Sequence, residues 1–253
     1  MEDVIQSELL RIEAGEDVRI LFAIESGSRA WGFPSRDSDY DVRFVYARRP
    51  DGYLSVFEGR DVIELPISGL LDINGWDLKK SYGLMRKSNP PLMEWLLSPI
   101  VYRRHAATDN FHEQANEAFR PLAACHHYHS MMRNMMSAIG NGEQVRMKKY
   151  LYSLRPMLAA QWVQERGTQP PILFQDLVEA YMPAGPLRTF LDAMIERKAS
   201  DEETGLIERH PPLDQFLEEG FRKLGESLPE ATSGVPPERV NAWFRAMLQE
   251  VWQ

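Results

Sequence analysis

The chain of 253 residues contains one cysteine, Cys125, so no intrachain disulfide framework can exist. Cations are also scarce: 29 lysines and arginines stand against 37 aspartates and glutamates, a formal net charge of −8. That balance excludes a protein that coats nucleic acid by bulk charge, because phosphate neutralisation needs an excess of cations, although a local basic groove is compatible with it. No apolar run approaches the roughly 18 residues of a membrane span. The start, "MEDVIQSELLRIEAGEDVRI", is acidic and lacks the basic opening and apolar core of a secretory leader. Internal repeats and long disordered tails are missing too. What remains is a globular composition, 43% hydrophobic and 26% charged, with cytoplasm as the expected setting and no membrane partner.

Length allows one large domain or two modest ones. Apolar positions Val4, Ile5, Leu9, Leu10 and Ile12 predict a helix over 2–13 that Gly15 stops. Ile20–Ile24, "VRFVY" (42–46) and "VIELPI" (62–67) read as strands, and "LLDINGW" (70–76) as a fourth, with Asp72 on the face opposite Leu71 and Ile73. Asp77 then caps a helix, "LKKSYGLMRK", and Asn89-Pro90-Pro91 starts another. Beyond this the strand pattern ends. A Met-rich helical stretch over 109–165 is broken at "IGNGEQ" (139–144), and proline turns punctuate the helices that follow. The expected class is α+β: a small mixed sheet with flanking helices over 1–105, then an all-helical domain over 106–253.

Chemistry concentrates in "SGSRAWGFPSRDSDYDVRFVY", residues 26–46. A strand ending in Glu25-Ser26 leads into Gly27-Ser28, a turn whose backbone N–H groups and serine hydroxyl suit phosphate. A Gly-Ser pair alone is most often only a turn. Asp39 and Asp41 say more, because alternate residues entering a strand share one face. Two carboxylates placed that way repel unless a cation lies between them, and hard oxygen donors suit Mg²⁺. Asp37, beside Ser38, reads as an ordinary turn residue.

The two-part pattern, Gly27-Ser28 followed by Ser38-Asp39-x-Asp41, resembles the DNA polymerase β superfamily of nucleotidyltransferases. "DVIELPI", "DINGWDLKK", "KSNPPLMEWLLSPIVY" and "KKYLYSLRPMLAAQW" extend the resemblance to its RNA-ligase-associated branch, the RNA repair pathway (RlaP-like) nucleotidyltransferases. It covers about the first two-thirds of the chain. The resemblance implies a polymerase-β-like fold and transfer of a nucleotidyl group from an NTP to an acceptor hydroxyl, with pyrophosphate leaving and two Mg²⁺ ions, or Mn²⁺ in their place, assisting. It implies that Gly27 and Ser28 hold the triphosphate, that Asp39 and Asp41 bind metal, that an RNA end accepts the nucleotide, and that the protein is associated with an RNA ligase pathway. Superfamily members use a third carboxylate from a neighbouring strand. Asp72, in a strand-like segment, is the first choice here, with Glu64 and Asp77 as the alternatives.

Other residues are weaker candidates. Arg43 can pair with the site carboxylates or contact phosphate, and an ordinary salt bridge explains it equally well. Lys148, Tyr152 and Arg155 form one stripe of a helix and could reach the nucleotide, though solvated cations on an amphipathic helix would look the same, and Pro156 puts the helix's continuity in doubt. Lys79, Lys80, Arg86 and Lys87 give the helix after Asp77 a basic side. Cys125 and His129 are four apart on a helix but lack a second ligand pair, so a zinc site is not expected; the plainer reading packs Cys125 and Tyr128 in a core. A protein or small-molecule acceptor, or an NTP-binding module without turnover, are the rival functions.

Overall fold

The run "VRILFAIE" forms β1 (Val18–Glu25), and every residue in it but Arg19 is buried, as a strand covered on both faces requires. A computed structural model describes residues 1–140, 142–200 and 205–253. It is a mixed α+β protein in two compact units, and the units are not successive lengths of chain. The first comprises residues 1–30, 39–119 and 233–253; the second comprises 31–38 and 120–232.

In the first unit, α1 (Glu2–Glu16) precedes β1, and α2 (Gly27–Ala30) is a single turn. Gly15 does not stop α1; Asp17 does so two residues later, in the left-handed region at φ 49°. Then come β2 (Tyr40–Arg48), a 3-10 turn (Pro50–Leu54), β3 (Val62–Glu64), β4 (Leu71–Asp77), α3 (Leu78–Arg86), α4 (Pro90–Leu96), β5 (Val101–Arg104) and α5 (Thr108–Ala118). The sheet order is β3-β4-β2-β1-β5. β2 runs parallel to β4 and all other pairs are antiparallel. β5, in "PIVYRR", carries no clear alternation and was not expected from the sequence; it pairs with β1.

The sheet has a core on each side. Ile5, Leu9 and Ile12 of α1 pack with Val42, Phe44, Tyr46 and Ile73 on one side. On the other, Val45 and Ala47 meet Leu78, Tyr82 and Met85 of α3, Phe111 of α5, and Met247, Leu248 and Val251 of the C-terminal helix α11 (Pro237–Val251). Each large apolar side chain buried there contributes roughly 1.5–3 kcal/mol, which explains why the end of the chain belongs with its beginning. The compact units therefore differ from a division at 105/106 in three ways: α5 and α11 both pack with the sheet, and residues 31–38 belong to the second unit.

The second unit contains α6 (Pro121–Ile139), β6 (Gln144–Arg146), α7 (Met147–Arg166), α8 (Phe174–Tyr181), α9 (Pro186–Ala199), β7 (Leu206–Glu208) and α10 (Pro211–Glu226). Among the described residues it is helical, as expected, with one short β6–β7 ribbon added. Of the break at 139–144, Asn141 lies outside the described residues, and α6 ends at Ile139 as expected. α7 continues through Pro156, most of its residues buried against neighbours that hold it helical. Cys125 is buried, its Sγ directed to the Ala160 carbonyl, and burial pushes the thiol up to about 11. His129 stacks on Phe221. Among the described residues no helix is long and apolar enough to cross a membrane.

Candidate active site

Parallel pairing of β2 with β4 sets Asp41 directly opposite Asp72, and Arg43 opposite Asn74. Alternation along β4 is regular, with Leu71, Ile73 and Gly75 buried and Asp72, Asn74 and Trp76 half-buried on the other face. Asp41 and Arg43 share that face of β2 with Val45 and Ala47, so the polar group sits beyond the end of the α3-side core. Asp39, two residues before Asp41, is exposed just ahead of the strand.

Arg43 lies between the two carboxylates. Its Nη2 donates to Asp41 Oδ1 at 2.9 Å and to Asp72 Oδ2 at 2.8 Å, while Nη1 donates to the Asp72 carbonyl at 3.0 Å. Side-chain exposures of 18% for Arg43, 29% for Asp41 and 26% for Asp72 leave the cluster partly open to solvent. A guanidinium thus supplies the positive charge that two facing carboxylates require.

The turn before β2 is pressed against Asp41. Gly27 adopts φ +62°, and a β-carbon there would lie 2.2 Å from Asp41 Oδ2. Ser26 N–H donates to the Asp41 carbonyl at 2.8 Å, and Asp41 N–H donates to Glu25 Oε1 at 2.8 Å. α2 is too short to develop a macrodipole, so binding of an anion at Gly27-Ser28 would use individual N–H groups. Ser28 itself is buried. Arg29 donates from Nε to the Asp39 carbonyl and lies 3.8 Å from the Tyr40 ring centre, which fixes the approach to the strand.

Glu25 is the residue that sequence reasoning missed. It is fully buried, accepting from Asp41 N–H on one oxygen and from the Tyr102 hydroxyl of β5 on the other. Burial raises its carboxyl above the ordinary range, partly offset by those hydrogen bonds. An acid at the last position of a strand that is apolar apart from Arg19 was the available signal, but its partner lies on β5, which the sequence did not reveal.

The alternatives to Asp72 sit elsewhere. Asp77 is five residues further along β4, about 16 Å by strand rise, and opposite Tyr46. Its buried carboxylate caps α3, accepting from Lys79 N–H at 2.7 Å and Tyr53 Oη at 2.9 Å, and burial raises its pKa. Glu64 on β3 lies opposite Asn74, one strand further from β2, and is exposed.

Lys148, Tyr152 and Arg155 all lie on α7 in the second unit. Lys148 is exposed, 5.3 Å from the centre of the Tyr152 ring. Tyr152 meets Trp31 and Phe33 edge-on, and the buried Arg155 guanidinium lies 4.3 Å from the Trp31 ring centre. Phe174 packs on Phe33, and Lys198, 1% exposed, donates to the Phe33 carbonyl at 3.1 Å. Tyr152 and Arg155 thus grip the segment 31–38.

Among the described residues no group of three histidine, cysteine, aspartate or glutamate side chains is assembled to hold a metal ion. The donor set nevertheless fits a hard divalent cation: two all-oxygen ligands in register on one face, with a third carboxylate at the strand entry and glycine alone accommodated beside Asp41 Oδ2.

A model of the RNA repair pathway DNA polymerase beta family matches residues 1–246. An uncharacterised protein of Bacillus subtilis (strain 168), YcgL, is 42% identical over 256 aligned positions that take in the whole of this chain and 98% of the relative. Among solved structures, a nucleotidyltransferase-like protein from Exiguobacterium sibiricum 255-15 aligns with 98% of this chain and 89% of its own length, at 10% identity and a TM-score of 0.32.

Proposed function

The chain belongs to the RNA repair pathway DNA polymerase beta family, and from that membership we propose that it is a Mg²⁺-dependent nucleotidyltransferase acting on an RNA end. An acceptor hydroxyl attacks the α-phosphorus of an NTP, its proton passes to solvent, a new P–O bond forms, and the bond to pyrophosphate breaks. The observation that carries this reading is the in-register pair Asp41–Asp72, bridged by Arg43 and backed by the Gly27-Ser28 turn.

Asp39, Asp41 and Asp72 would hold the metal. A divalent cation would supply neutralisation of the triphosphate and a more acidic acceptor hydroxyl. The chain's own part is positioning. Gly27 lets the turn lie against Asp41, and N–H groups of Gly27 and Ser28 hold phosphate oxygens. Arg43 keeps Asp41 and Asp72 aligned, and would be available to phosphate where a metal carried their charge instead. Asp72 serves better than its alternatives because Asp77 is committed to capping α3 and Glu64 is a strand away.

Labelled NTP, Mg²⁺ and separate pools of RNA, protein and small-molecule acceptors test the proposal. Transfer to RNA ends that D39A/D41A abolishes is the expected result. Transfer confined to another pool would replace the acceptor, and undiminished transfer by the double variant would overturn the site.

A further inference from the structure

Most cations of the first unit are engaged: Arg48 with Glu16, Arg49 with Asp17, Arg103 with Glu13, Arg104 with Asp109 and Arg239 with Glu117. Lys79, Arg86 and Lys87 differ. They are exposed along α3 and its C-cap, a stretch without an acid, and form no ion pair among the described residues. In a chain of net charge −8, a run of uncompensated cations on one helix is a local reversal of sign.

Two clefts meet at Lys79. One, of about 250 Å³, sets Lys79, Gly83 and Arg86 of α3 against Val240, Asn241 and Phe244 of α11, and no acid lines it. The other, of about 340 Å³, continues past Lys79 and Lys80 to Arg60 and Phe57. Its acids are largely answered: Asp61 pairs with Lys80 at 3.0 Å, and Asp77 is buried under Tyr53 and the start of α3, leaving Glu58. Phe57 at its edge is 84% exposed, an unusual cost for a phenylalanine whose ring has no aromatic partner among the described residues.

We propose that this side of the first unit is a docking track for a single strand of RNA, which deepens the acceptor reading above and takes the choice of RNA from it. Cations spaced along a groove track a phosphate backbone, and an exposed ring offers a face on which an unpaired base stacks. A duplex would keep its bases stacked inside and leave Phe57 without a role.

The test is binding without catalysis. The full chain, in EDTA, is titrated into a labelled oligouridylate of about 12 nucleotides and followed by fluorescence anisotropy over about 50–200 mM salt. Binding should weaken as salt rises. K79Q/R86Q should bind at least about tenfold more weakly and reduce the slope of log affinity against log salt by about 1.4, two phosphate contacts at roughly 0.7 each on a single strand. F57A, a substitution at an exposed ring, should cost about 5- to 100-fold with less change of slope. D41N should bind RNA like the wild type while losing transfer, which separates the track from the chemistry. Absence of salt-dependent binding, or unchanged binding and slope in folded K79Q/R86Q, overturns the track and leaves the transferase reading untouched.

Discussion

Gly27 and Asp41 are so closely apposed that a β-carbon on the glycine would fall 2.2 Å from Asp41 Oδ2, while Ser26 N–H holds the carbonyl of the same aspartate at 2.8 Å. Turn and carboxylate form one object. G27A meets two obstacles, a φ of +62° that costs an L-residue about 1–2 kcal/mol and a displaced Asp41 side chain. Calorimetry should show a folded variant melting about 2–8 °C lower, with Mg-NTP affinity reduced by about tenfold or more.

The proposed ligands should be less forgiving. D41N and D72N should each lower nucleotidyl transfer by more than about 100-fold, beyond the 10- to 100-fold typical of residues that merely support a ligand. D77N should retain transfer, since asparagine also caps a helix. If D77N is dead and D72N active, the third carboxylate has been misassigned.

Asp77 also gives a pH prediction. Burial raises its folded pKa above the ordinary 3.8, so the stabilising protonated form is complete at low pH and its benefit is lost as pH rises through the folded value. D77N removes that loss. Its melting temperature relative to wild type should increase from about pH 4 to about pH 7, and a difference independent of pH would refute the burial argument.

Arg43 neutralises two partly exposed carboxylates, each pair worth about 0.5–1 kcal/mol. R43A should melt about 2–8 °C lower without metal. Added Mg²⁺ should raise the variant's melting temperature more than that of the wild type, because Asp41 and Asp72 are then left to repel each other until a cation arrives. Equal shifts would show that the cation does not bind where Arg43 sits.

Glu25 holds the Asp41 amide from behind. E25A should reduce Mn²⁺ affinity, read by electron paramagnetic resonance, by about 10- to 100-fold, and E25Q, which retains an acceptor oxygen for that amide, should recover most of it. Y102F, which frees the other carboxylate oxygen, should fall between them.

The apposition at the candidate site was legible because its parts are local: a Gly-Ser turn after an apolar strand, and alternate aspartates at the start of the next. Asp72 was harder, since only the parallel register of β2 and β4 sets it opposite Asp41. Glu25 was invisible as a site residue because its partner Tyr102 lies on a four-residue strand without alternation. Local rules also misjudged Gly15 and Pro156, where packing carried α1 past a glycine and α7 through a proline. The return of α11 to the sheet depended on tertiary burial that the sequence expresses only as an amphipathic helix.

The interleaving of the two units has a practical side. The chain passes between them four times, at 30/31, 38/39, 119/120 and 232/233, so neither corresponds to one uninterrupted length of gene. A fragment ending at 119 would carry the carboxylates yet lack Met247, Leu248 and Val251 from its core, and would leave Trp31 and Phe33 without Tyr152 and Phe174. Dissection by truncation is therefore unsuited to this protein. Its halves are separable by point substitution, and recombination with relatives would have to exchange them whole.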